Sequence, residues 1–167
     1  MGNSPERYIR ARISQSKKIA FAEYMELSLY HPVGGFYTTG PRVGPDFFTS
    51  PSAHPLFGAS ISIQLNTMWK TLGKPETFYV IELGAGNGSL GRDIQASIST
   101  ELSRALEYIA VDRAMPEQSF ADIHSVVSKD LPFKRVLGCI ISNEFVDALP
   151  FHRFYIEGGE LKEIYVS

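Results

Sequence analysis

The 167-residue sequence has a single cysteine and no long apolar run. With Cys139 alone, no disulfide can form within the chain, which fits a reducing compartment such as a bacterial cytoplasm. No stretch of 18 or more apolar residues is present, so we predict no membrane insertion. The net charge of −2 gives no electrostatic reason to expect nucleic-acid binding. No His/Cys spacing predicts a metal site.

A glycine-rich turn is the most informative feature that the sequence does contain. It follows an apolar run over residues 78–83, which is typical of a buried parallel strand. Glycines at alternate positions tolerate positive φ and let a ligand approach the backbone. Glu82 lies inside the apolar run, where an acid is costly unless it binds something. We therefore predict a nucleoside-binding turn formed by Glu82, Gly84, Ala85, Gly86, Asn87 and Gly88.

The spacing of these glycines helps to identify the nucleoside. Dinucleotide-binding turns carry Gly-x-Gly-x-x-Gly and present helix N–H groups to a pyrophosphate. Here the third glycine falls one position early and Glu82 precedes the first, as in the first motif of class I S-adenosylmethionine-dependent methyltransferases. A carboxylate would repel a pyrophosphate but attract the ammonium group of the cofactor's methionine part. Two alternatives stay open: a nicotinamide-dependent oxidoreductase, and a turn that only links strand to helix.

A second predicted strand, over residues 106–112, ends in an acid. Asp112 follows Gly88 by 24 residues, near the distance expected for the acid that binds the ribose in a Rossmann unit. Its carboxylate would accept hydrogen bonds from the two ribose hydroxyls. The alternative is an exposed aspartate that caps the next helix or turn. Dinucleotide-binding proteins and S-adenosylmethionine-dependent methyltransferases both use this acid. Asp112 is therefore evidence for the fold more than for the choice of cofactor.

Polar residues also follow a strand predicted over residues 136–142. Ligands of open α/β sheets bind at the carboxyl ends of the strands, which is where Asn143 and Glu144 lie. Together with Asp147 they supply acceptors that could polarise a nitrogen nucleophile. The alternative is a helix start, capped by Asn143 and favoured by the charge of Glu144. A weaker strand signal covers residues 123–127.

The remaining pattern predicts an α/β, Rossmann-like fold with an N-terminal extension. We place a helical and lid-like extension at residues 1–75 and the core at residues 76–167, with a hairpin at its end. Residues 1–18 are predicted to be frayed. The predicted helices cover 19–29, 56–72 and 89–102, and the hairpin joins 151–156 to 161–166 around Gly158 and Gly159.

Four segments of the chain resemble the MidA-like family of class I methyltransferases. The family includes a mitochondrial complex I assembly factor that methylates an arginine. The first segment runs from Ile19 to Tyr37 and includes Tyr30-His31-Pro32, and the second runs from Gly44 to Gly58. The third is the glycine turn, and the fourth runs from Ser142 to His152. The first, second and fourth segments are more specific than any glycine motif.

This resemblance implies a fold, a cofactor and a reaction. The fold would be that of class I methyltransferases, the cofactor S-adenosylmethionine, and the substrate an arginine of a partner protein. Asn143, Glu144 and Asp147 would surround the guanidinium, and Thr49 and Ser50 would shape the lid side of the site. An alternative is a non-catalytic, cofactor-binding assembly factor. In a eukaryote the expected compartment is the mitochondrial matrix.

The chain departs from the family pattern in two ways. It has Pro45 between Gly44 and Asp46, where the family has Gly-Asp-Phe, and Ser52 where the family has a glutamate after Ser-Pro. The family members are also about twice as long, with a seven-stranded sheet. We therefore expect either an N-terminal piece of a longer protein or a short relative.

Overall fold

A computed structural model describes residues 5–38, 55–113 and 123–167. The helices are α1 (Glu6–Ser16), α2 (Phe21–Tyr30), α3 (Leu56–Thr71), α4 (Ser89–Ser97) and α5 (Thr100–Ser103). The strands are β1 (Ile19–Ala20), β2 (Phe78–Leu83), β3 (Leu106–Asp112), β4 (His124–Val127), β5 (Gly138–Ser142), β6 (Phe154–Glu157), β7 (Glu160–Glu163) and β8 (Tyr165–Val166). No helix within these described ranges is long and apolar enough to span a membrane.

The chain forms two compact units, and their boundaries differ from the predicted division at residue 75. The first unit combines residues 1–46 with 147–167, and the second comprises residues 47–146. Helix α3 belongs to the second unit because it packs on α4. The C-terminal hairpin belongs to the first unit, in which β8 pairs antiparallel with β1.

Both ends of the chain build the first unit. Residues 6–16, which we predicted to be frayed, form helix α1, and Arg12 joins it to Glu23 of α2 through an ion pair of 2.7 Å. The predicted helix at 19–29 begins two residues later, since Ile19 and Ala20 pair with β8. Strands β6 and β7 form the predicted hairpin around Gly158 and Gly159, and both glycines have positive φ.

A four-stranded parallel sheet forms the second unit and confirms the predicted α/β class. The strand order is β4-β3-β2-β5, and β2 pairs with both β3 and β5. Helices α3 and α4 cover one face of the sheet. The buried core between these layers is formed by Leu65, Trp69, Phe78, Val80, Leu90, Ile94, Leu102, Tyr108 and Ala110.

Glycine allows the two helices of this layer to approach each other closely. A Cβ on Gly58 of α3 would collide with the backbone and Cβ of Asp93 in α4. The predicted helix at 89–102 is interrupted at Ile98, and a second helix starts after Ser99. The Ser99 side chain caps it by accepting a hydrogen bond of 3.2 Å from the Leu102 amide.

The strand order places a ligand-binding crevice at a definite point of the sheet. From β2 the chain proceeds outward through β3 to β4 and then returns to the other side of β2 to form β5. This reversal is a topological switch point, and in open α/β sheets the crevice outside the strands' carboxyl ends lies there. The glycine turn leaves β2 at this edge, and Asn143 and Glu144 leave β5 beside it.

Candidate cofactor-binding site

The glycine turn has the backbone conformation that the sequence predicts. Gly84, Gly86 and Gly88 have φ of 70°, 55° and 70°, in the left-handed region where a side chain is strained. The Gly84 amide donates to the Val111 carbonyl of β3 at 2.9 Å, and the Gly88 amide donates to the Ala85 carbonyl at 2.8 Å. The turn is therefore anchored to the end of β3 and closed on itself before α4 begins.

Gly86 faces open space and touches an acid. Its amide donates to Oδ2 of Asp112 at 2.9 Å. A Cβ added at Gly86 would meet no described atom within 4 Å, so the outer surface of the turn is accessible there. Asn87 is also exposed, and its Oδ1 accepts a hydrogen bond of 3.0 Å from the Ser89 amide at the start of α4. The structure thus brings Asp112 to the glycine turn, as the sequence predicts for the ribose-binding acid.

Glu82 is buried and hydrogen-bonded. Only 4% of its surface is exposed, and its Oε2 accepts a hydrogen bond of 2.7 Å from the Tyr108 hydroxyl of β3. Burial raises the pKa of Glu82 to about 7; the hydrogen bond from Tyr108 opposes this shift and the charge of Asp112 adds to it. Two acids thus accompany the glycine turn, Asp112 at the Gly86 amide and Glu82 buried in the strand before it, and negative charge there favours a cationic ligand group over a pyrophosphate.

The end of β5 approaches the same turn. Phe145 lies against Gly84, since a Cβ on that glycine would come within 2.7 Å of the phenyl Cδ2 atom. Glu144 has a φ of 47°, an uncommon left-handed conformation for a residue other than glycine. Such strain persists only where the surrounding structure imposes it, and it is concentrated at functional sites. Asn143 precedes it, directly after the last residue of β5.

The other predicted site residues lie elsewhere in the chain. Asp147 is the central residue of the 3-10 helix Val146–Ala148 and belongs to the first unit. Thr49 and Ser50 fall outside the described residues, as do the departures at Pro45 and Ser52. No group of three or more His, Cys, Asp or Glu side chains that could hold a metal occurs within the described ranges.

Two residues near the turn received no role from the sequence. Tyr108 carries the hydrogen bond to Glu82, and Phe145 packs on Gly84. Pairing the two predicted strands would have placed Tyr108 beside Val80, on the same face of the sheet as Glu82. Nothing in the sequence around Phe145 predicted its contact, because a turn after a strand has no fixed periodicity.

The residues present fit S-adenosylmethionine. The open glycine backbone at Gly86, the carboxylate of Asp112 touching it and the buried carboxylate of Glu82 supply hydrogen-bond acceptors and negative charge in one turn. The cofactor carries a sulfonium and an ammonium group, which need such surroundings. The nicotinamide-dependent alternative would place a pyrophosphate against the same two acids.

Comparisons with known proteins agree with this geometry. A family described as "Putative S-adenosyl-L-methionine-dependent methyltransferase" matches residues 60–167. A crystal structure of a "likely methyl transferase" from Burkholderia thailandensis, bound to S-adenosyl-homocysteine, has a TM-score of 0.71 and 25% identity. That similarity covers 97% of this chain and 49% of the other.

Two curated relatives are mitochondrial proteins named protein arginine methyltransferase NDUFAF7 or its homolog. The Drosophila melanogaster relative is 27% identical over 195 residues and the Homo sapiens relative 26% identical over 196 residues. Each alignment covers 96% of this chain but 44% of the relative, so the chain spans less than half the length of either. Since the family match covers more than half of this sequence, the chain belongs to the S-adenosyl-L-methionine-dependent methyltransferase family described above.

Proposed function

We propose that this chain binds S-adenosylmethionine through the glycine turn and takes part in methyl transfer to an arginine of a partner protein. The observation that carries the proposal is the pair of carboxylates, Glu82 and Asp112, at a glycine turn on the sheet's switch point. Glu82 would hold the ammonium group of the methionine part, and Asp112 the ribose hydroxyls. Gly84, Ala85, Gly86, Asn87 and Gly88 would form the surface under the cofactor.

The proposed roles follow from the chemistry of the reaction. When bound, the cofactor would supply an electrophilic methyl group to a nitrogen of the substrate, with the bonding electrons left on its sulfur. A guanidinium is a poor nucleophile because it is almost always protonated. Glu144 and Asn143, at the end of β5, would orient it and accept hydrogen bonds from it, and the Glu144 carboxylate would take the proton that the methylated nitrogen gives up. Holding the two reactants in one geometry can contribute several kcal/mol, on the order of 7, to lowering the barrier.

A protein substrate is supported by the names of the relatives, which are protein arginine methyltransferases. The mitochondrial location in the relatives' names supports a mitochondrial protein if the source is a eukaryote. The matrix as its compartment, and the cytoplasm if the source is a bacterium, stay predictions. The roles of Asp147, Thr49 and Ser50 remain predictions from the sequence.

The alternative function is a binding protein that has lost turnover. It is favoured by Ser52, which replaces a glutamate of the family pattern. Such a protein would still bind S-adenosyl-homocysteine, so cofactor binding and methyl transfer need separate experiments.

The binding experiment compares two leucine substitutions at glycines of similar conformation. Gly86 in the turn and Gly158 in the hairpin have φ of 55° and 60°, and neither would place a Cβ within 4 Å of a described atom. Both variants should lose similar stability, about 1 kcal/mol. By calorimetry, Gly86→Leu should bind S-adenosyl-homocysteine at least tenfold more weakly than the parent, whereas Gly158→Leu should bind normally. Equal binding by the parent and Gly86→Leu would contradict the proposed site.

The turnover experiment uses the radiolabelled methyl donor and candidate substrate proteins. Loss of transfer with Glu144→Gln, accompanied by normal cofactor binding, would support a methyltransferase with Glu144 at its substrate side. Cofactor binding without transfer to any substrate, by the full-length protein, would favour the assembly-factor alternative.

A further inference from the structure

Tyr108 is the partner of the buried acid in the proposed cofactor site, and no role has been assigned to it. Its hydroxyl lies 2.7 Å from Oε2 of Glu82, and each residue exposes only 4% of its surface. We propose that Tyr108 is a positioning residue of the cofactor site, which orients the Glu82 carboxylate toward the cofactor's ammonium group and favours its charged form. This inference rests on the proposed function.

The position of the Tyr108 ring is fixed by the elements around it. Tyr108 pairs with Val80 across β2 and β3, so its side chain shares a face of the sheet with Glu82. Above it lies α4, where a Cβ on Gly91 would come within 2.9 Å of the tyrosine Cε1 atom. A side chain at position 91 would therefore displace the ring. The fold holds the hydroxyl at one place rather than letting it rotate away from the acid.

The protonation state of Tyr108 makes it a permanent donor. Burial raises the pKa of its hydroxyl above the ordinary value, and the charge of Glu82 raises it further. The hydroxyl therefore keeps its proton across the neutral pH range. A hydrogen bond donated to a carboxylate stabilises the charged form, so this contact lowers the pKa of Glu82 against the effect of burial.

Other groups around Glu82 do not replace this donor. The other titratable side chains on the neighbouring elements are Asp112 at the end of β3, Cys139 of β5, Arg92 and Asp93 of α4 and Lys70 of α3, while Tyr79 of β2 and Glu107 of β3 lie on the opposite face of the sheet. Asp112 raises the pKa of Glu82 by repulsion. Arg92 donates to the carbonyl of Asn87, and Asp93 lies against Gly58 of α3. Among the described residues, the Tyr108 hydroxyl is therefore the side-chain donor that stabilises the charged form of Glu82.

The experiment measures binding of S-adenosyl-homocysteine by calorimetry between pH 6 and pH 9. In the parent, affinity should rise with pH through about 7, as Glu82 ionises. Tyr108→Phe keeps the ring but removes the donor, so the rise should move to higher pH by about one unit. Near pH 7 this variant should bind about fivefold more weakly, and the difference should disappear toward pH 9. Tyr79→Phe, a matched loss of a hydroxyl on the other face of β2, should leave the profile unchanged.

A merely structural role would give a different result. If Tyr108→Phe unfolds more readily but binds with the parent's pH profile, the proposal is overturned. The double variant with Glu82→Gln provides a second check, because Tyr108→Phe should not alter affinity once the carboxylate is gone. A parent that binds no S-adenosyl ligand at any pH would refute the proposed function, and the positioning role with it.

A measurement on the unaltered protein avoids any folding defect of the variant. In the ligand-free parent, the ¹³C resonances of the Glu82 carboxyl and of the Tyr108 Cζ atom should titrate with one common midpoint near pH 7. A common midpoint supports the hydrogen bond between Tyr108 and Glu82. A Tyr108 resonance that does not change as Glu82 titrates overturns the proposal.

Discussion

Burial of the Glu82 carboxyl makes the stability of the fold depend on pH. In an unfolded chain its carboxyl has the ordinary pKa of 4.5, and in the folded protein burial raises this pKa to about 7. The folded state therefore holds the proton more tightly than the unfolded state does. Stability from this group is fully present below pH 4.5 and is lost as the pH rises through 7. Between these two pH values the group lowers the free energy of unfolding by about 3 kcal/mol.

We predict that Glu82→Gln stabilises the protein in neutral and alkaline solution. The amide is never charged and still offers an oxygen to the Tyr108 hydroxyl. The free energy of unfolding in urea should exceed that of the parent at pH 8, by up to about 3 kcal/mol, and match it near pH 4.5. Glu76→Gln, at an exposed glutamate of the same unit, should change neither value. Equal stability of Glu82→Gln and the parent at pH 8 would show that the carboxyl pays no burial penalty.

The turn residues could be predicted from the sequence because each has a local cause. An acid in an apolar strand and glycines at alternate positions describe one short segment, and the structure places all of them together with Asp112. Tyr108 could not be identified in this way. Its contact with Glu82 depends on how two strands pair, and the pairing is set by the whole sheet.

At the scale of elements, α3 and α4 pack closely against each other in the second unit. It depends on Gly58, whose missing side chain leaves room for Asp93. In an isolated helix, alanine would be preferred to glycine by about 1 kcal/mol. Packing between the helices therefore opposes helix propensity at this position, and a substitution shows which effect is larger.

We expect packing to be the larger effect. Gly58→Ala should lower the free energy of unfolding by about 1–3 kcal/mol, because the new methyl group overlaps the backbone of α4. Urea denaturation measures this change. The control is Ile63→Ala on the exposed side of α3, where 69% of the side chain is accessible and the change should stay within about 0.5 kcal/mol. A Gly58→Ala variant more stable than the parent would mean that the helices can move apart freely.

The element boundaries show where sequence patterns succeed and where they fail. Strands β2 and β3 and helix α3 were predicted within a residue, because each is a long segment with a clear apolar pattern. Strand β1 was missed since its two residues are extended only through pairing with β8, far along the chain. The break before α5 was also missed, although Ser99 is a recognisable helix cap.

At the scale of the whole molecule, the first unit depends on a contact between distant parts of the sequence. Ile19 of β1 is 2% exposed and pairs with Val166 of β8. The sequence suggested a boundary at residue 75 because apolar periodicity describes neighbours along the chain. Apolar periodicity carries no direct signal for the pairing of β1 with β8.

Ile19→Ala should therefore affect both ends of the chain together. Loss of this buried side chain should cost about 2–4 kcal/mol in the first unit. Hydrogen exchange should show faster exchange of the amides in β1 and β8, while those of β2 and β3 keep their protection. Ile156→Ala, at a side chain that is 76% exposed, should leave exchange unchanged. If the β8 amides keep their protection from exchange in Ile19→Ala, β1 does not hold β8 in place.

The β1–β8 pairing also sets the order of events during translation. A ribosome releases residues 19–20 early, but their partner strand follows only after all of residues 47–146 have been synthesised. The parallel sheet, whose strands all lie in that middle stretch, can assemble while the N-terminal segment still lacks its partner. The early segment therefore spends this interval without its partner strand, and β1 can pair only once nearly the whole chain has left the ribosome.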